Sequence, residues 1–111
     1  MAEITVDGVT YVPKVTVSED KVLIRSRDSG VHFGTLAERN GAEVTLTNAR
    51  RIWYWKGAAS LSQMAMTGVS EPRECKFSVP VPSITVLGVC EVIPCPRDAC
   101  ENLEGVPEWT A

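Results

Sequence analysis

The residues with the clearest chemical potential lie in one short run, NARRIWYWKGA at positions 48–58. Three adjacent aromatic side chains are flanked there by two arginines and one lysine, with no acid between them. A base stacks on such a ring for about 1–3 kcal/mol. A guanidinium binds phosphate through two N–H groups, and an asparagine amide can pair with the edge of adenine. The segment therefore predicts a nucleotide-binding surface, while for any single tryptophan a place in the core is the competing interpretation.

Small residues follow this run at Gly57, Ala58 and Ala59, directly before Ser60. Ser60 is a good helix N-cap, and Gly68 is a natural stop for a helix of about two turns. The free backbone N–H groups at such a helix start can bind a phosphate. A tight packing corner needs the same small residues, so both interpretations stay open.

Catalytic and metal-binding patterns are weak. His32 is the only histidine, and Asp28 is its nearest acidic neighbour in sequence, so we expect no enzyme. The four cysteines are not spaced as zinc ligands and are expected to be reduced, small buried hydrophobic residues without a metal; they stand at Cys75, Cys90, Cys95 and Cys100. No cofactor is expected.

The charge pattern restricts the partners. The 111 residues carry a net charge of −3, yet residues 21–56 alone carry +4 and residues 91–111 carry −4. A basic middle segment can attract a compact anion, whereas an acidic chain as a whole repels nucleic acid. No run of about 18 apolar residues indicates a membrane helix, and no signal peptide is recognisable, so we expect an intracellular protein.

Alternating apolar residues and turn signals indicate the elements that must position these groups. We expect a first hairpin over residues 3–17 with its turn at Asp7-Gly8 and with Pro13 confining it to an edge. Strands follow over Lys21–Arg27 and Val31–Arg39, the Asn40-Gly41 pair predicts a hairpin, and residues 42–55 form either two strands or one long bent strand.

The second half is less regular. We expect a crossing loop over residues 70–83, with a short strand near Lys76–Val81, and one central strand over Ile84–Ile93. A short helix over Asp98–Leu103 and a loose tail from Gly105 complete the chain. The sequence predicts a single β-rich α+β domain over residues 1–111: a small antiparallel sheet or partly open barrel with one or two short helices. A core this small favours oligomerisation.

Several strings of this sequence resemble a family of small phage proteins, the Thoeris anti-defence one family. They are NARRIWYWKGAASLSQ at 48–63, IRSRDSGVHFG at 24–34, the Asn40-Gly41 hairpin and VCEVIP at 89–94. The match spans residues 24–94, which leaves the C-terminal helix and tail at 95–111 outside it. One departure is Arg27, where relatives carry an aromatic residue.

The resemblance implies a non-catalytic sponge in the cytoplasm of an infected bacterium. Such proteins sequester cyclic ADP-ribose signals, including glycocyclic ADP-ribose, and some also hold cyclic di- or trinucleotides of the CBASS defence system. Members are β-rich dimers or hexamers with the ADP-ribose ligand between protomers. Carried over to this chain, the candidate ligand-binding residues are Arg25, Asn48, Arg50, Arg51, Trp53 and Trp55.

Three alternatives stay open at the level of sequence. The aromatic and basic residues could serve a small β-barrel that binds single-stranded nucleic acid, although the net charge of −3 argues against a long basic track. The chain could be a structural phage protein whose aromatic strip is an assembly interface. A nucleotide-cleaving enzyme has only His32 and Asp28 to support it.

Overall fold

The computed structural model describes residues 4–6, 9–11 and 20–111. The first two ranges are strands β1 (Ile4–Val6) and β2 (Val9–Tyr11), which pair with each other in antiparallel register. This confirms the N-terminal hairpin. Its proposed turn at Asp7-Gly8 and the edge position of Pro13 lie outside the described residues.

Six strands form the main sheet. They are β3 (Lys21–Ser26), β4 (Gly30–Asn40), β5 (Glu43–Tyr54), β6 (Lys76–Phe77), β7 (Val81–Val86) and β8 (Val89–Pro94). All pairings are antiparallel: β4 lies between β3 and β5, β8 pairs with β3, and β6 and β7 both pair with β5. The sheet is open. Its antiparallel strands, together with two helices, confirm the predicted β-rich α+β class with an antiparallel sheet.

The expectation of one central strand over Ile84–Ile93 is wrong. Leu87 and Gly88 interrupt it, and Gly88 has a φ of +68°, a conformation that glycine adopts readily. The two resulting strands pair at opposite sides of the sheet, with Val86 beside β5 and Val89 beside β3. Because so short a connection joins them, the sheet must curve strongly at this end.

Within residues 42–55 the structure has one long strand, β5, with a bulge. Between the pairs Phe33–Arg50 and Thr35–Thr47 the register shifts by one residue, and Asn48 there has a φ of +49°. The extra residue reverses which side chains face each side of the sheet. Before the bulge the buried side chains have even numbers, as at Val44 and Leu46, and Ala49 continues the same face.

The sheet buries apolar side chains on both faces, which explains the unbroken VLI run in β3. Leu23 faces a first core with Phe33 and Ile52, which the two helices cover. Val22 and Ile24 face a second core, against the strand residues near the β4–β5 turn and β7. The β4–β5 turn uses Gly41 at a φ of +63°, as its sequence predicts.

Two helices complete the first core: α1 (Leu61–Thr67) and α2 (Arg97–Glu104). The Ser60 side chain caps α1, and Gly68 ends it at a φ of +79°, as predicted. The Asn102 side chain joins the helices because it accepts a hydrogen bond from the Val69 amide (2.8 Å) and donates to the Val69 carbonyl (2.9 Å).

The connections of the second half are more ordered than predicted. A 3₁₀ turn at Pro72–Glu74 precedes β6, so the short strand expected over residues 76–81 covers only two residues. The prediction of a loose tail from Gly105 is wrong. Val106 is buried in the first core, and the Trp109 amide donates to the Phe77 carbonyl (2.8 Å). Apolar burial of Val106 holds the tail in place.

Candidate functional site

Two of the predicted ligand residues, Asn48 and Arg50, line one cavity of about 250 Å³. Strand β5 supplies both, and we call this the Arg50 cavity. Its walls also include Phe33 and Thr35 of β4 and residues of the C-terminal segment, completed by Lys21, Gly34, Pro80, Glu104, Val106, Pro107 and Glu108. The bulge at Asn48 forms one side of this cavity.

Arg50 is a buried cation, with only 5 % of its surface exposed. Its Nε donates to the Ser78 carbonyl (2.9 Å), its Nη1 donates to the Leu103 carbonyl (3.1 Å), and the guanidinium lies 5.2 Å from the centre of the Phe77 ring. Its Nη2 has no hydrogen-bond partner among residues 20–111. Burial lowers the pKa of Arg50, and the charge of Glu108 acts in the opposite direction.

The next residue, Arg51, points to the opposite face of the same strand pair. It is exposed, and its Nη1 donates to the Ser29 carbonyl (3.0 Å). Together with His32 and Ser78 it lines a second cavity of about 190 Å³, the His32 cavity, whose other walls are Ala49, Val79, Val81 and Ile84. Arg51 is therefore separated from Arg50 by the sheet itself.

The two predicted tryptophans differ in environment. Trp53 is 69 % exposed, and its neighbour Tyr54 is 48 % exposed. Trp55 packs against the first core, and its indole Nε1 donates to the Ala58 carbonyl (3.3 Å). Trp53 thus offers a free ring for stacking, whereas the ring of Trp55 is largely occupied within the fold.

Arg25 lies in a different place again. Its Nε donates to the Glu91 carboxylate (2.7 Å), and this hydrogen bond raises the pKa of Arg25. Arg25 lines an open hollow of about 780 Å³ with Arg27 and the connection around Gly88. An anion that binds Arg25 must compete with Glu91.

The start of helix α1 was a candidate phosphate site. The Gln63 side chain accepts a hydrogen bond from the Ala59 amide (2.7 Å), and the Ser60 hydroxyl accepts one from the Gln63 amide (3.1 Å). Two of the N–H groups that a phosphate would need are therefore already used. This arrangement favours the alternative interpretation, a tight packing corner.

The six candidate residues therefore do not converge on one concave surface within a single chain. Asn48 and Arg50 share a cavity, while Arg25, Arg51 and the tryptophans lie elsewhere. Sequence reasoning missed Thr35, Glu104 and Glu108, which complete the Arg50 cavity. Thr35 follows Phe33 by two residues on β4, so strand alternation places both side chains on one face. The acidic walls come from the distant C-terminal segment, and no local pattern in the sequence links them to β5.

The described residues also bear on metal and thiol chemistry. Within residues 20–111 no group of three or more potential metal ligands occurs. The four cysteines are free thiols; Cys75 and Cys100 are buried, whereas Cys90 is exposed, against the expectation of burial. Burial is the main cause that raises the pKa of Cys95 to about 12, so this thiol is unreactive at neutral pH. No helix in the described part of the chain is long and apolar enough to cross a membrane.

Comparison with known proteins yields one family. No curated protein and no solved structure matches the chain. The sequence pattern of a family described as "Domain of unknown function (DUF6948)" matches residues 19–103, which include every strand of the main sheet and almost all of helix α2. Because this match covers well over half of the sequence, the chain belongs to the DUF6948 family.

Proposed function

We propose that the protein binds a phosphorylated nucleotide in the Arg50 cavity and sequesters it without cleaving it. The observation that carries this proposal is the buried Arg50 side chain, whose Nη2 has no partner among the described residues and which lines a cavity. Burying an ion costs several kcal/mol after relaxation unless it is paired. Two carbonyls, a ring face and the charge of Glu108 offset part of this cost, and an anionic group bound in the cavity would offset more of it.

The other polar groups of the cavity suit a phosphate joined to a ribose. Asn48 offers an amide and Thr35 a hydroxyl, both able to bind ribose oxygens or a phosphodiester. Glu104 and Glu108 lie in the same walls. Glu104 forms an ion pair with Lys21 (2.8 Å) and Glu108 opposes Arg50, so the walls have no excess of positive charge. One or two phosphate groups therefore fit better than a triphosphate or a nucleic-acid strand.

The size of the cavity indicates how such a ligand would lie. A volume of about 250 Å³ is below the roughly 300–1,000 Å³ of a site that encloses a whole drug-sized ligand. A neighbouring hollow of about 570 Å³ shares Lys21, Thr35 and Glu104 with it. The phosphate and ribose would occupy the Arg50 cavity, and the base would extend into this hollow.

The resemblance to Thoeris anti-defence one proteins suggests the class of nucleotide. It favours cyclic ADP-ribose signals such as glycocyclic ADP-ribose, with cyclic di- or trinucleotides as further ligands, and action in the cytoplasm of an infected bacterium. Sequestering these signals would keep Thoeris effectors, and CBASS effectors too, inactive. Release of unchanged ligand is part of the proposal, because His32 faces away from the Arg50 cavity and cannot act there as a base.

Calorimetric titration tests the proposal. The ligands are cyclic ADP-ribose isomers, linear ADP-ribose, a cyclic trinucleotide and a short oligonucleotide. We expect a cyclic ADP-ribose isomer to bind and to be recovered intact after heat denaturation. Asn48→Gly keeps the positive φ but removes the amide, and Thr35→Val removes the hydroxyl; each should weaken binding about 5- to 10-fold, the loss of one hydrogen bond.

Arg39→Gln is the matched control, because this exposed arginine lies on β4 outside the Arg50 cavity. It should leave affinity unchanged. Binding that is equal in Asn48→Gly, Thr35→Val and the parent protein would place the ligand elsewhere. Absence of binding to every cyclic and linear nucleotide, or recovery of cleaved ligand, would refute the proposed function.

One observation favours a second candidate, a structural assembly protein. Trp53 and Tyr54 are adjacent and exposed at the end of β5, as expected of an interface between protein chains. Under the sponge proposal the same residues would mediate a homodimer or hexamer. A stable oligomer that binds no nucleotide would support the assembly candidate.

A further inference from the structure

The Asn40-Gly41 pair at the tip of the β4–β5 hairpin can react as well as turn the chain. The backbone nitrogen that follows an asparagine can attack the side-chain carbonyl carbon of that asparagine, because the two atoms close a small, unstrained ring. This reaction is one reason why asparagine is a thermolabile residue. A glycine in the second position hinders the attack least, since it has no Cβ. The chain has two other asparagines, and larger residues follow both: Asn48-Ala49 and Asn102-Leu103.

The structure leaves both reacting groups of this pair accessible. Residues 37–43, which form the tip of the hairpin, are all exposed. The Asn40 side chain makes no hydrogen bond within residues 20–111, and the Gly41 N–H donates to no backbone carbonyl there. Space is also open around Gly41, where a Cβ would meet no atom within 4 Å. Ring closure requires rotation of the Asn40 backbone, which disturbs Asn40–Glu43, the last cross-strand pair before the turn.

The other two asparagines are held in place. Asn102 uses its side-chain carbonyl and amino group in the two hydrogen bonds to Val69. Asn48 lies in the β5 bulge, and the residue after it, Ala49, is buried in the second core. Of the three asparagines, Asn40 alone therefore combines exposure, a free side chain and a following glycine.

We propose that Asn40 is a site of spontaneous modification, at which the folded protein converts its asparagine to aspartate and isoaspartate. The Gly41 nitrogen loses its proton to base and bonds to the Asn40 Cγ, while the side-chain nitrogen takes up protons and leaves as ammonia. Water then adds to one of the two carbonyl carbons of the cyclic imide and breaks the bond of that carbon to nitrogen. Attack at the side-chain carbonyl gives isoaspartate or aspartate according to which of the two bonds breaks: cleavage at the side-chain carbonyl restores the normal backbone, and cleavage at the backbone carbonyl leaves a chain that runs through Cβ. The net change is one water taken up and one ammonia released.

The products would loosen the hairpin tip. Asn40 is paired directly with Glu43, so either product places a second carboxylate beside this acid, and like charges in directly opposite positions destabilise a strand pair. Isoaspartate also adds one backbone atom next to a two-residue turn whose length fixes the register. The effect reaches the rest of the sheet, because the Val89 N–H donates to the Ala42 carbonyl within this turn (2.8 Å). Ageing of the protein thus yields a more acidic form with a weakened contact between the hairpin tip and β8.

Incubation of the untagged, folded protein in mildly alkaline buffer tests the proposal. Isoelectric focusing should show a more acidic form that accumulates with time, and faster at higher pH, since base removes the Gly41 proton. Peptide mass spectrometry should assign a gain of about 1 Da to Asn40, with conversion at least about 10-fold faster than at Asn48 or Asn102. A methyltransferase specific for isoaspartate should label the aged protein and not the fresh protein.

Three variants identify the reacting residue and the state in which it reacts. Asn40→Gln should abolish the acidic form, because its longer side chain closes a ring far more slowly, whereas Asn48→Gln, the matched control, should leave the rate unchanged. Asn102→Ala removes a tertiary contact, yet the rate at Asn40 should stay within about twofold, since the exposed tip reacts without global unfolding. A rate that instead rises with the unfolded population, or an Asn40 that persists as long as Asn48 and Asn102, would overturn the proposal.

Discussion

Neighbouring residues of the β4–β5 pair place two different polar groups on opposite faces of one sheet. The register aligns Phe33 with Arg50 and His32 with Arg51. One face therefore buries a guanidinium beside an aromatic ring, and the other buries a neutral imidazole beside an exposed guanidinium. Each buried group lacks a complete set of partners among the described residues. In the described part of the chain, His32 and Arg50 are buried polar residues together with Ser26, whose hydroxyl donates to the Leu87 carbonyl (2.8 Å).

The titration of His32 predicts a loss of stability in acid. Its pKa lies near 4 in the folded protein and near 6.5 when unfolded, so the unfolded chain binds more protons between these values. Stability contributed by the neutral ring is complete above pH 6.5 and is lost as the pH falls toward 4, at most about 3 kcal/mol. Urea unfolding at pH 7 and pH 5 should show about 2 kcal/mol of this loss.

Carboxylates also titrate in this range, so the comparison needs a variant. His32→Leu replaces the buried imidazole with an apolar side chain that cannot titrate. It should reduce the difference in unfolding free energy between pH 7 and pH 5 by about 2 kcal/mol. An unchanged pH dependence in His32→Leu would mean that His32 already charges freely in the fold.

Arg50 has a structural role that is separable from ligand binding. Its two hydrogen bonds tie the Ser78 carbonyl and the Leu103 carbonyl to β5. Arg50→Met retains the length of the side chain but leaves both acceptors without this donor, at about 1–3 kcal/mol for each that stays buried. We expect a net loss of about 2–4 kcal/mol in chemical denaturation, since removing the buried charge offsets part of the cost. A variant as stable as the parent would show that these bonds contribute nothing net.

At the scale of elements, the side chain of Asn102 fastens helix α2 to the residues after α1. Val69 is buried, and both its N–H and its carbonyl depend on this amide. Asn102→Ala should therefore cost about 2–4 kcal/mol of unfolding free energy, because two buried backbone groups lose their partner. Asn102→Asp keeps the acceptor and loses the donor, so thermal unfolding should place it between the parent and the alanine variant. An order reversed between these two variants would contradict this role.

The strands of the first half were predictable because local signals agree with one another. The VLI run, the glycine turn at Gly41 and the alternation around Val44 all favour the same strand pair. The interruption at Gly88 was not predictable in this way, since an unbroken apolar run is compatible with either one long strand or two strands that separate. Only the pairing of β7 and β8 with different partners decides between them.

The candidate site was predictable in composition but not in arrangement. Its segment contains both Asn48 and Arg50, which share a cavity, and Arg51, which does not. The bulge at Asn48 changes the facing of the rest of β5, and bulges have no firm sequence signature at this position. Cavity walls such as Glu108 come from the C-terminal segment, whose approach depends on burial of Val106.

At the scale of the whole molecule, the charged residues of the Arg50 cavity and the exposed aromatic residues at the end of β5 lie in different places. The acidic C-terminal residues 91–111 supply Glu104 and Glu108 to the Arg50 cavity, so the basic middle of the sequence does not form a continuous positive surface there. A long polyanion would meet these acids along its path, whereas a compact ligand would meet mainly Arg50. This distribution favours a small ligand over a nucleic-acid strand.

The exposed aromatic residues at the end of β5 predict self-association. Trp53 is 69 % exposed beside Tyr54, whereas Trp109, at 50 % exposed, already contacts Lys76 at 5.2 Å through its ring. Burying Trp53 against a second copy removes a large apolar surface from water, at about 25 cal/mol per Å². We therefore expect a dimer or hexamer in sedimentation velocity at micromolar concentration.

Trp53→Ser should shift this equilibrium toward the monomer about 10-fold or more, while Trp109→Ser, the matched control, should leave it unchanged. A parent protein that sediments as a monomer at 100 μM (roughly the weakest association expected of a specific interface) would contradict the prediction, and equal effects of the two serine variants would place the interface away from Trp53.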